Sequence, residues 1–334
     1  MKNYPNKNKS LFLFVFVLIG LLFVANKASA LTLSPSRLEI SGDPGQTLTE
    51  KMVLINENND TETFYSSYAN FQAQGESGDP AFVTATNDLG TWMSTQPSIT
   101  LSPGESQTIP FTINIPKNAE PGGHFAVVFW GTASPQLGTV GVGSKTGLLV
   151  LLSVNGDVKQ SAGFLSFNTV GNKFWYSTLP VSFEYRFKND GGDRIKPVGP
   201  LTIRDTVFFP AQVLDANPGT GNVLPGSTRR FQVDWINYVR PVDYVTPTSF
   251  FPRFWSNVSY QWKNFAIGLY SANLNVAYST NNQHAKATVF FFVFPWQLIL
   301  VMLVVIAILF WGGKFTLKRY NKFIIEKARQ QLTK

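Results

Sequence analysis

Along most of this chain apolar and polar residues alternate one for one. Ile109, Phe111, Ile113 and Ile115 alternate with Thr108, Pro110, Thr112 and Asn114, and Val181, Phe183, Tyr185 and Phe187 with Ser182, Glu184, Arg186 and Lys188. The same pattern recurs at Phe231, Val233 and Trp235, and at Tyr270, Ala272, Leu274, Val276 and Tyr278. A period of two predicts strands with one face on a core, and the Pro-Gly and Asn/Asp-Gly pairs between them predict turns. Helical stripes are scarce. The predicted class is all-β: two tandem immunoglobulin-like β-sandwiches followed by one C-terminal transmembrane helix.

A repeat supports the two sandwiches. Leu101-Ser102-Pro103-Gly104 precedes the strand at 109–115, and Leu224-Pro225-Gly226 precedes the strand at 231–235. Each copy then continues through a loop and a glycine (Gly122-Gly123, Gly268) into another apolar strand, the order of the last strands of an immunoglobulin-like domain. The second copy carries an insertion, residues 237–265, rich in Phe, Tyr and Trp. The predicted organisation is a signal peptide at 1–30, a first sandwich at 31–160, a second at 161–294, a membrane helix at 295–313 and a basic cytoplasmic tail at 314–334.

Two apolar runs break the alternation. Lys2, Lys7 and Lys9, the run Leu11 to Val24 and the small residues Ala28-Ser29-Ala30 follow the layout of a cleaved secretory signal. Gln297 to Gly313 carries no charge, and Leu298 to Phe310 holds eleven Leu, Ile, Val or Phe residues. At the usual cost per residue these favour membrane insertion by about 3 to 7 kcal/mol. Trp296 and Trp311 bracket the run and are the expected membrane-interface residues. The predicted location is the cell membrane, single-pass, with both sandwiches extracellular.

Charge fits that placement. The net +8 divides into +4 before Leu31, +6 from Gly312 onward and −2 across the region between. Basic flanks on a membrane segment follow the positive-inside rule, and the near-neutral middle has no footprint for nucleic acid. Cysteine is absent, so the sandwiches rest on apolar packing, and export without disulfides points to a bacterial cell.

Chemistry is sparse. Gly141-Val142-Gly143-Ser144-Lys145-Thr146 lacks the glycine that a phosphate loop needs before its lysine and reads as a turn. The only histidines, His124 and His284, lie far apart, and with no cysteine neither makes a zinc site. No serine sits in an elbow motif, and no carboxylate pair stands out. Asn189-Asp190-Gly191-Gly192-Asp193 offers oxygen ligands but reads as a hairpin turn. The expectation is a non-enzymatic protein with neither cofactor nor metal. The best binding candidates are the aromatic residues of the insertion, Phe251, Trp255, Tyr260 and Trp262, whose flat faces suit a glycan or a protein partner; packing in the core is the competing reading. Trp92, Trp130, Trp175 and Trp235 are expected in the core or at sheet edges.

The segment 31–155 resembles the peptidoglycan-binding domain of the WxL-interacting protein family. The resemblance is carried by Leu33-Ser34-Pro35-Ser36-Arg37-Leu38-Glu39, Pro44-Gly45-Gln46, Asn56, Trp92, Leu101-Ser102-Pro103-Gly104-Glu105, Ile115-Pro116 and Pro121-Gly122-Gly123-His124. It implies a bacterial cell-surface protein that binds peptidoglycan through its first domain and host matrix or another surface protein through its second. It assigns no binding residue. An alternative is a chaperone-like assembly factor for exported surface proteins, donating the alternating strand 107–115 as an edge. A surface hydrolase is the least favoured reading.

Overall fold

The computed structural model describes residues 31–133, 144–205, 210–278 and 283–332. The expected signal peptide lies outside the described residues. Two compact units form: residues 31–71, 82–120 and 124–155 in the first; 72–81, 121–123 and 156 onward in the second.

The first unit is built on β1 (Leu31–Ser34), β2 (Arg37–Gly42), β3 (Thr47–Asn56), β4 (Glu62–Gln74), β5 (Asp79–Thr84), a single helical turn α1 (Leu89–Trp92), β6 (Met93–Thr95), β7 (Ser98–Leu101), β8 (Ser106–Asn114), β9 (Gly122–Gly131) and β10 (Lys145–Val154). One sheet runs β1-β3-β8-β6 and the other β2-β10-β9-β4-β5, with β7 also on β4. This is the immunoglobulin arrangement of an ABED sheet facing an A′GFC sheet. The first strand serves both sheets: β1 pairs antiparallel with β3, and β2 pairs parallel with β10. The switch falls at Pro35-Ser36, where proline has no N–H to continue a ladder. Between the sheets lie Phe64, Phe111, Trp130, Met52 and Leu54, each at most 1% exposed.

The second unit follows with β11 (Ala162–Thr169), β12 (Trp175–Tyr176), β13 (Val181–Asn189), β14 (Pro200–Arg204), β15 (Pro210–Asp215), β16 (Thr228–Trp235), helix α2 (Phe250–Lys263), β17 (Gly268–Ala277), β18 (His284–Val293) and helix α3 (Trp296–Leu332). Its sheets run β11-β13-β16 and β12-β18-β17-β14-β15. The alternation fixes the faces as expected: Val181, Phe183, Tyr185 and Phe187 are at most 1% exposed, while their polar neighbours point outward. Tyr185 stacks on Phe231 at 4.8 Å, and its hydroxyl donates to the Ala216 carbonyl at 2.9 Å, so the one polar atom it carries inward is satisfied.

Both units close the same corner in the same way. In the first, Pro103-Gly104 makes a turn in which the Glu105 N–H donates to the Ser102 carbonyl and Gly104 has φ 71°. In the second, Pro225-Gly226 repeats it, with Ser227 N–H donating to Leu224 and Gly226 at φ 68°. Proline followed by a left-handed residue defines the type II turn, and only glycine takes that second position without strain. A fully buried asparagine, at the end of β3 in the first unit and of β13 in the second, receives each turn. The Asn56 backbone carbonyl accepts from Gly104 N–H at 2.8 Å, its side-chain amide donates to the Leu101 and Asp60 carbonyls at 3.0 Å, and its side-chain oxygen accepts from Asn58 N–H at 3.0 Å. Asn189 makes the matching contacts with Gly226 N–H at 2.9 Å, the Val223 and Asp193 carbonyls at 2.9 and 2.7 Å, and Gly191 N–H at 2.9 Å. The repeat seen in the turns is therefore a repeat of corner and peg. The oxygen of Asn189 considered as a calcium ligand is engaged within the turn itself.

Two departures from expectation stand out. Strand 107–115, read as an open edge, lies between neighbours: β3 pairs with it from Ser106 to Asn114, and β6 covers Phe111 to Ile113. The insertion 237–265, read without secondary structure, contains the fourteen-residue helix α2.

Candidate functional site

The insertion leaves the sandwich after Trp235 and returns at Gly268, and a buried asparagine ties its two ends together. The Asn264 side-chain oxygen accepts from Asn237 N–H at 3.2 Å and Tyr238 N–H at 2.9 Å, and its amide donates to the Tyr238 carbonyl at 3.1 Å. Its backbone N–H closes helix α2 by donating to Tyr260 at 2.9 Å. Pro252 sits in the first turn of α2, where no intrahelical N–H is needed.

Helix α2 has three faces. Phe254, Val258 and Gln261 recur at helical spacing and turn toward protein; Val258 and Gln261 are buried and Phe254 half-buried. Gln261 makes the decisive contact. Its side-chain oxygen accepts from Leu298 N–H at 2.9 Å, and its amide meets the side-chain oxygen of Gln297. Leu298 belongs to the first turn of α3, whose leading N–H groups have no partner within their own helix, so Gln261 caps α3 from outside. The Phe254 ring packs edge-on to Trp296 at 6.4 Å between centroids.

The second face is bare. Phe251, Trp255 and Trp262 are 72%, 53% and 67% exposed. At 3.6 residues per turn they fall within about 40° of one another and span about 16 Å of helix. The third face is cationic and hydroxylated. Arg240 lies over the rings of Tyr244 and Tyr260 at 4.8 and 4.2 Å, Lys263 lies over Tyr238 at 4.3 Å, and Tyr244 and Ser256 join by their hydroxyls. Together with Ser259 these residues line a small open pocket. The four residues expected to act together are thus divided: Phe251, Trp255 and Trp262 share the bare stripe, whereas Tyr260 belongs to the cation-lined pocket. Neither a core nor a single binding surface describes the insertion.

The strand end beside α3 carries more exposed rings. β12 pairs in parallel with the last residues of β18, Trp175 with Phe292 and Tyr176 with Val293. Trp175 is 67% exposed and packs on Phe292 at 4.6 Å, and Phe294 N–H donates to the Tyr176 carbonyl at 2.8 Å. Phe294 is followed at once by Pro295 and Trp296, so strand passes to helix without a linker. Helix α3 is long and apolar enough to cross a membrane over Trp296–Ile325, and its side chains are almost all exposed. Trp296 is half exposed at its start, and Trp311 lies exposed within it.

Sequence reading missed Gln261 and Asn264, which are polar and unremarkable in composition. The signal for them was present. Phe254, Val258 and Gln261 at i, i+4 and i+7, beside Phe251, Trp255 and Trp262 at i, i+4 and i+11, trace two helical stripes within an otherwise period-two chain.

In the first unit, His124 is the one histidine held in a network. Its Nδ1 faces the Asp88 carboxylate at 2.5 Å, its Nε2 faces the Glu120 carbonyl at 2.8 Å, and its ring packs on Trp92 at 4.7 Å. Burial opposes the charged ring, but the bonds to Asp88 and Glu120 and the charges of both carboxylates outweigh it, so His124 titrates above its ordinary 6.5. Asp88 also accepts from Leu89 N–H at 2.8 Å and starts α1. The cluster fastens α1 to the sheet. Trp130 and Trp235 are buried as expected, and Trp175 lies at a sheet edge.

No family model matches the chain, and no curated protein matches it. Solved structures similar to it include a class 5 fimbriae chaperone, CfaA, at 10% identity and TM-score 0.38, covering 78% of this chain and 99% of that one. A complex of Salmonella enterica SafA pilin with the SafB chaperone matches at 8% identity and TM-score 0.35 over 80% and 98% of the two chains. The E. coli chaperone DraB matches at 10% identity and TM-score 0.33 over 78% and 97%.

Proposed function

We propose that this chain is a non-enzymatic, single-pass membrane protein that holds two sandwiches outside a bacterial cell and acts by binding. The observation that carries the reading is the junction at Phe294-Pro295-Trp296, where the last strand of the second unit runs directly into α3. A sandwich joined so closely to a membrane helix is held near the membrane rather than released. The basic residues Lys314, Lys318, Arg319 and Lys322 support a cytoplasmic location for the far end of α3 by the positive-inside rule. Peptidoglycan is the ligand that the family resemblance implies for the first unit, and a surface protein is the partner implied for the second. Co-sedimentation of the detergent-solubilised full chain with isolated peptidoglycan sacculi tests the first assignment. Saturable pelleting supports it, and pelleting no greater than that of the heat-unfolded chain removes it.

A second reading, an assembly factor that adds a strand to an exported client, has one observation in its favour. The parallel pairing of β2 with β10 begins at Arg37 and Leu149, so Lys145 to Leu148 extend beyond β2. A strand end left in this way is where an extended segment of another chain could be added. Crosslinking from Thr146 on intact cells distinguishes the readings: a discrete polypeptide adduct supports the assembly factor, and its absence speaks against it.

A further inference from the structure

Exposed rings are distributed unevenly. Among the described residues, every exposed tryptophan lies in α3, in α2, or on the strand β12 that pairs beside the start of α3. Among the described residues of the first unit, the large exposed apolar side chains are Phe82 and Val83 alone. A surface evolved for general stickiness would not concentrate its rings where one helix begins.

We infer that α2 is an interfacial helix: it lies in the outer leaflet beside the entry point of α3, with Phe251, Trp255 and Trp262 in the boundary between headgroups and acyl chains. The inference rests on the membrane anchoring proposed above and goes beyond it. Three observations choose lipid as the occupant of the bare stripe. The first is continuity, since Gln261 caps the first turn of α3 and Phe254 packs on Trp296; the start of a membrane helix fixes the depth of whatever is bonded to it. The second is composition. Trp and Phe on one face, with Arg253, Arg240 and Lys263 away from that face, is the pattern of helices that lie in a membrane surface, where rings enter the interface by about 5–10 Å and cations meet phosphate. The third is a matching contact beside it: Trp175 and Phe294 are exposed at the strand end that leads into α3. A single spanning helix leaves a domain free to tilt, whereas a helix lying alongside it adds a second line of contact and restrains that tilt.

The absence of cysteine makes the test direct, because one introduced thiol carries one spin label. The full chain is reconstituted in vesicles of phosphatidylcholine and phosphatidylglycerol. Labels are placed singly by Phe251→Cys, Trp255→Cys and Trp262→Cys on the stripe, by Arg253→Cys on the opposite face and by Leu303→Cys within α3. Collision with oxygen, which concentrates in lipid, is compared with collision with a water-soluble nickel chelate. The inference predicts oxygen dominant at 251, 255, 262 and 303 and chelate dominant at 253. Chelate dominant at all three stripe positions, with oxygen still dominant at 303, overturns the interfacial helix and leaves the anchor standing. Chelate dominant at 303 as well overturns the anchor and the inference together. Stripe labels shielded from both reagents and broadened by one another overturn it in favour of contact with a second copy. Because each stripe variant keeps two of the three rings, loss of one aromatic does not decide the result.

Discussion

Asn56 and Asn189 illustrate how single polar residues hold these sandwiches together without a disulfide. Each is completely buried and satisfies backbone groups from both its own turn and the Pro-Gly turn that closes the corner. Replacing either by alanine strands buried carbonyls, at about 1–3 kcal/mol for each group left unpaired. Asn56→Ala and Asn189→Ala are therefore expected to lower the denaturant midpoint of the mutated unit by far more than a surface substitution does, as followed by urea titration in detergent. His124 contributes a pH dependence. Its folded pKa is raised, so its contribution is complete below the ordinary value of 6.5 and is lost as pH rises through the raised value. The first unit should lose stability as pH climbs above about 6.5. His124→Gln should abolish that slope, as read by thermal melts across pH 6 to 9.

At the scale of elements, α2 and α3 are coupled through one glutamine. Gln261→Leu removes the cap on Leu298 N–H while keeping bulk at a buried position. It should speed amide exchange in the first turn of α3 and at the C-terminal end of α2, leaving β17 and β18 protected; unchanged exchange would show that the cap carries little. The strands were legible because alternation states both the element and its buried face, as at Val181 to Phe187. The Pro-Gly turns were legible because their chemistry is local. Helix α2 was not, because Phe, Tyr and Trp favour strands and obscured its 3.6 period. The asparagine pegs escaped for a different reason: their partners Leu101 and Val223 lie 45 and 34 residues away, and no local pattern records such a contact. Strand 107–115 has the composition of an edge, yet β6, only three residues long, covers part of it.

Over the whole molecule, the division of labour follows from where charge and apolar surface fall. The basic tail and the exposed side chains of α3 suit a membrane; two closed cores, each with its own asparagine peg, suit independent domains. On the proposed reading the chain displays its two sandwiches from α3, which starts directly after the last strand of the second unit. The most direct measurement of that claim is the topology of the full chain in intact cells, read with a membrane-impermeant maleimide on single cysteines at Gln107 in the first unit and Lys322 in the tail. A membrane-anchored chain with both sandwiches outside should label at Gln107→Cys from outside and at Lys322→Cys only after permeabilisation, and should stay in the membrane through alkaline carbonate. Release by carbonate, or labelling of Lys322→Cys from outside, would contradict it.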